Sequence, residues 1–139
     1  MSLARAGSCI FLGGFYCLAS TAHFPQTSSP STFENYCKIV PPYIPGSAAF
    51  HVLWTGVAEL ALGGWLATSF SPLAARSLFW LTILMTPANV YMFSHDVPLG
   101  NVRLSYGLTG THMLRASAQI LLLSWLFWLS KTPAHARQD

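Results

Sequence analysis

A carboxylate in apolar surroundings holds most of the chemistry in this sequence. Glu59 falls near the middle of a run from residue 47 to 69 that is otherwise apolar enough to cross a bilayer. A bare charge at that depth costs about 3 kcal/mol on insertion scales, so the acid needs a proton, a cation or a task. His51 and Thr55 precede it at intervals of four, which puts all three on one helix face. Similar stripes recur in Tyr16, Ser20 and His23, in Thr82, Thr86 and Asn89, and in His112, Arg115 and Gln119. Such groups converging between apolar helices can hold a small anion or a carbonyl compound, or pass a proton. Arg115 is the expected partner of Glu59, because a guanidinium takes a carboxylate through two parallel hydrogen bonds. His23, Asn89 and Gln119 are expected beside that pair. The bland alternative is an ion pair that only fixes helix register, and such a pair need not add net stability. Asn89 has its own bland reading, a bond to backbone freed by Pro87.

Other chemistries are poorly represented. Cys9 and Cys17 lie about 12 Å apart along one predicted helix, too far for a disulfide, and Cys37 has no nearby partner. No Cys-x-x-Cys, phosphate-cradling glycine loop, serine-triad signature or metal-ligand spacing occurs. The chain has no catalytic motif of its own and no haem or flavin signature, so no intrinsic cofactor and no metal are expected. A formal charge of +3, spread along the chain, suggests no nucleic-acid partner.

The elements that must position these groups are read from hydropathy. With 53% hydrophobic and 8% charged residues, against about 25% charged in a soluble domain, the chain falls in the membrane class. Four runs meet the length of about 20 residues that a bilayer requires, at residues 6–24, 47–69, 74–93 and 112–129. The predicted fold is an all-α, single-domain, four-helix transmembrane bundle. The first run also suits a cleaved signal peptide ending near Ser20-Thr21-Ala22, but its length and its helically spaced polar residues favour a retained span. Four spans put both termini on one side with Arg5, Arg76, Lys131 and Arg137, leaving Lys38, Arg103 and Arg115 opposite. That is a small positive-inside excess for a cytoplasmic-side terminus. Ser31-Thr32-Phe33-Glu34 fits a capping box for a short interfacial helix in the first outer loop, stopped by Pro41-Pro42. Residues 94–111 read as a glycine-punctuated loop. Gly7 and Gly14 in the first span, and Gly56 and Gly63 in the second, predict close packing of these two helices around Glu59.

Five short motifs occur in a telling order. They are Ala22-His23-Phe24, the run from Val40 to Pro45, Thr55 to Leu60 followed by Leu62-Gly63, Pro87 to Met92, and Arg115 with Gln119. Together they resemble the DoxX-like family of small membrane proteins, over most of the chain. Thr55 stands where a serine is usual, and Arg115-Ala-Ser-Ala-Gln119 lacks the Leu-Pro-Leu often found there. The resemblance implies a four-helix membrane bundle whose shared positions are His23, Glu59, Asn89, Arg115 and Gln119. The family's namesake is similar to a small subunit of a membrane thiosulfate:quinone oxidoreductase. The resemblance therefore implies an accessory subunit of a membrane redox assembly, with quinone as a candidate ligand and other subunits or a second copy as partners. The competing expectations are a purely structural subunit, docking through Trp125, Phe127 and Trp128, and a small-molecule transporter.

Overall fold

The computed structural model describes residues 2–95 and 107–131, and every regular element among them is helical. These are α1 (Leu3–Ser20), a 3₁₀ turn (Thr21–His23), α2 (Pro30–Ile39), α3 (Ala48–Ser69), α4 (Pro72–Leu84), α5 (Thr86–Ser94) and α6 (Gly107–Ser130). Serines start four of them. The hydroxyls of Ser2, Ser29, Ser47 and Ser71 accept backbone N–H groups of the first turns of α1, α2, α3 and α4, satisfying donors that a helix start leaves free. The α2 cap is Ser29, two residues before the predicted Ser31, because Pro30 supplies a first helical residue that needs no N–H partner.

α1 packs along α3, α3 against α4, and α4 against α6. Leu12, Leu66, Leu78, Leu126 and Leu129 are fully buried between them. Side chains bridge α6 back to α1, where Phe11 stacks on Trp125 with centroids 5.6 Å apart. The predicted third span is two helices. Met85 takes φ −82° and ψ −8°, and Pro87, which lacks an N–H, sits in the first turn of a new helix in which Ala88 and Asn89 both donate to the Met85 carbonyl. α6 begins at Gly107, so the predicted loop stops earlier than expected. Asp96, Arg103, Tyr106 and Arg137, with the rest of that loop, lie outside the described residues.

Arg5, Arg76 and Lys131 do gather at one end. Buried Arg5 donates through Nη2 to the carbonyls of Leu129 and Lys131, the latter at 2.7 Å, and its guanidinium lies 5.5 Å from the Trp128 ring centroid. Arg76 reaches the Ser130 carbonyl at 3.5 Å. Two cations thus cap the C-terminal carbonyls of α6, which also carry the negative end of its dipole. Arg5→Met keeps the length but removes this cap, and is expected to cost about 1.5–3 kcal/mol, the range for hydrogen bonds to charged groups. Denaturant unfolding in micelles measures it, and an unchanged midpoint would contradict the capping role.

Among the described residues, two helical stretches, Leu3–His23 and Met113–Ser130, are long and apolar enough to cross a membrane. α3 matches them in length, but His51 and Glu59 lower its hydropathy. The outer faces of all the long helices are nonetheless apolar, with Phe11, Leu18, Leu60, Trp80, Ile120 and Leu121 exposed.

Candidate functional site

The site forms where the end of α1 meets the first half of α3. The 3₁₀ turn after α1 swings His23 inward until it is 5% exposed. Gly56 makes room for it, since a Cβ there would collide with the His23 Cβ. One turn further along α3, Glu59 is also 5% exposed. Its Oε2 lies 3.4 Å from His23 Nε2 and makes no hydrogen bond to any described residue. The predicted glycine packing around Glu59 is therefore real on the α3 side, but α1 uses a different residue. Gly13, not Gly7 or Gly14, opposes Gly63, with a Cβ at Gly13 falling 2.5 Å from the Gly63 carbonyl oxygen. Gly7 and Gly14 face open space.

Hydrogen bonding assigns the imidazole protons. His23 Nδ1 lies 2.9 Å from the Val52 carbonyl oxygen, which can only accept, so Nδ1 carries a hydrogen. Thr55 stands 3.3 Å from the same nitrogen while donating its own hydroxyl to the His51 carbonyl at 2.8 Å. Nε2 is left as the basic end, facing the carboxyl. One proton on this contact, carried by Oε2 or by Nε2, gives either a neutral acid beside a neutral imidazole or an ion pair. Both states avoid a lone buried charge.

The predicted pairing of Glu59 with Arg115 does not form. Arg115, half-buried on α6, donates through Nη1 to Met92 Sδ at 2.9 Å, and the ion-pair partner of Glu59 is His23. Tyr36 on α2 lies near enough to both side chains to feel their charges. Burial pushes the Tyr36 hydroxyl above the usual phenol range, the Glu59 charge adds to the rise, and Arg115 opposes it. The Tyr36 ring stands edge-on to His23 with centroids 4.8 Å apart.

Asn89 and Gln119 form a separate link between α5 and α6. Asn89 Nδ2 donates to Gln119 Oε1, and Gln119 Nε2 donates to Thr86 Oγ1, each at 2.8 Å. Asn89 thus bonds a neighbouring side chain rather than backbone freed by Pro87.

The secondary candidates are mostly committed elsewhere. Tyr16 donates to Thr82 Oγ1 at 2.6 Å, because the Thr82 hydroxyl is given to the Leu78 carbonyl. Ser20 donates back to the Cys17 carbonyl. His51 is held as one neutral tautomer, Nε2 donating to the Pro45 carbonyl and Nδ1 accepting from Trp54 Nε1. The His112 side chain lies outside the described residues.

A cavity of about 240 Å³ opens beside His23. Tyr36, Ile39 and Pro41 close it from the α2 side, and Val52 and Trp54 wall it on α3. Leu84, Met85 and Asn89 complete it at the α4–α5 break. Its polar groups are few and sit on an apolar, aromatic lining, the usual make-up of a small-molecule site. Glu59 lies behind His23 rather than on the wall. The imidazole therefore lines the cavity with Nδ1 bonded to the Val52 carbonyl and Nε2 facing the buried acid, so donating to a ligand means exchanging the Nδ1–Val52 bond for one to that ligand. Sequence reasoning missed the Val52 carbonyl, which has no signal in residue type, and Tyr36, which belongs to the short helix read there as interfacial. Among the described residues no cluster of His, Cys, Asp and Glu could hold a metal ion.

No curated protein and no solved structure matches the chain. Residues 12–130, most of its length, match the model of a domain of unknown function, DUF8561. The protein is a member of the DUF8561 family.

Proposed function

We propose that this protein is a four-span membrane bundle that binds a quinone-class ring in its outer half and exchanges a proton with it through His23 and Glu59. The supporting observation is the buried His23–Glu59 contact beside an apolar cavity. A carboxyl and an imidazole in contact, set next to an apolar cavity, match a ligand with a carbonyl oxygen to protonate. Bilayer embedding is supported by the apolar outer faces of every long helix, since soluble monomers rarely expose apolar patches beyond a few hundred Å². α4 and α5 together then make the third span, and the Arg5, Arg76 and Lys131 end lies on the cytoplasmic side. The resemblance to DoxX-like proteins points the same way, towards an accessory subunit of a membrane redox assembly. Electrons for the ring come from a partner subunit, and this chain contributes binding and the proton.

Trp54 on the cavity wall provides the test, because a quinone ring seated there quenches its fluorescence. Titrating 1,4-benzoquinones into the protein in nanodiscs is expected to quench it saturably. His23→Phe is expected to weaken binding by about tenfold, the equivalent of one lost hydrogen bond of ordinary strength. Glu59→Gln is expected to keep binding within a few-fold, because its amide can still donate to Nε2 while no longer titrating. Non-saturable quenching, identical in wild type and His23→Phe, would refute the assignment.

A further inference from the structure

The shape of the cavity says how its occupant arrives. Towards the turn that leads from α2 to α3 it is bounded by Ile39 and Pro41, both buried. Its flank is open instead, since Leu84 lines the cavity and is still 63% exposed on the outside of the bundle. Leu84 ends α4, thirteen residues from its start, which places it about 20 Å along the helix. In a hydrocarbon core about 30 Å thick, that is well inside the membrane. The helix break at Met85 lies at this level, and among the described residues α5, joined to α6 through the Asn89–Gln119 hydrogen bond and the Arg115–Met92 contact, continues the wall outward. The volume of about 240 Å³ is smaller than the roughly 300–1,000 Å³ of drug-sized sites, so it suits one ring and little else.

We propose that the cavity is entered sideways, from the hydrocarbon through the gap at Leu84 and Met85, by a ring compound whose apolar tail stays outside among the lipid chains. The inference rests on the reading of the cavity as a ring-binding site. It adds the class of ligand, a lipid-soluble compound with a long aliphatic tail, and identifies Leu84 as the residue against which that tail lies. His23 then meets the ring at the inner end of the slot, and the tail leaves past Leu84 into the bilayer.

The test compares two probes, decyl-substituted 1,4-benzoquinone and the same ring without the decyl chain, in wild type and Leu84→Trp. Binding is read from Trp54 quenching in nanodiscs, with concentrations expressed per lipid so that partitioning is removed. A Trp54→Phe background identifies any signal from the added tryptophan, and a thermal melt confirms that this exposed substitution leaves the fold intact. The tailed probe is expected to bind Leu84→Trp about tenfold more weakly than wild type, the effect of losing roughly two buried methylenes, and the bare ring about equally well. If Leu84→Trp weakens both probes alike, or neither, the sideways entrance is wrong while the ring site stands. If neither probe binds wild type saturably, the ring site itself fails and the entrance with it.

Discussion

Gly13→Ala is expected to break the α1–α3 contact, whereas Gly14→Ala, one residue later, is expected to leave it intact. The Cβ added at position 13 would lie 2.5 Å from the Gly63 carbonyl oxygen and 2.7 Å from both the nitrogen and the Cβ of Ala67. Two of these atoms are backbone, so the helices must move apart along their whole contact. Overpacking of this kind costs about 1–3 kcal/mol and sometimes more. The site would be lost too, because the same contact delivers His23 to Glu59. At Gly14 nothing lies within 4 Å, and exchanging glycine for alanine in an open helical position gains up to about 1 kcal/mol. Unfolding midpoints of the two variants in micelles provide the comparison. Equal midpoints would mean that the close approach of α1 and α3 is not as described.

The second large effect is expected at His23. His23→Ala leaves the Glu59 carboxyl buried with no described partner, and breaking a buried pair from one side typically costs about 3–5 kcal/mol. Replacing both residues with apolar ones, as His23→Phe with Glu59→Leu, removes the burial problem along with the pair. Most of the lost stability should return, while the proton and the ligand contact stay absent. A double variant as unstable as His23→Ala would show that the cost lies in packing at His23 rather than in the stranded acid.

The sequence carried the helices and the burial of Glu59, but not the identity of its partner. Hydropathy and spacing placed α1, α3 and α6 within a few residues, because these runs are long and their polar stripes regular. The split at Met85 escaped it, since Pro87 signals a weak point but not whether the chain bends or restarts. Spacing put Gly7 with Gly14 and Gly56 with Gly63, and a heptad does not reveal which side of a helix meets its neighbour. Gly13 carries the α1 contact, and its being next to Gly14 made the two hard to tell apart. The choice of Arg115 over His23 followed from chemistry, since arginine is the better carboxylate partner in the abstract. Distance decided otherwise. The 3₁₀ turn after Ser20 brings His23 to the acid, and Met92 on α5 takes the Arg115 guanidinium. Neither event has a signature in residue type. The short helix α2 was legible, though its cap was displaced by two residues.

Nitrogen-15 NMR of histidine-labelled protein in micelles tests the heart of the account. The His23 Nε2 resonance is expected to shift strongly in Glu59→Gln and to stay in place in Arg115→Met, with Nδ1 remaining protonated in both. A resonance indifferent to Glu59→Gln, or one that moves with Arg115→Met instead, would show that His23 and Glu59 do not share a proton.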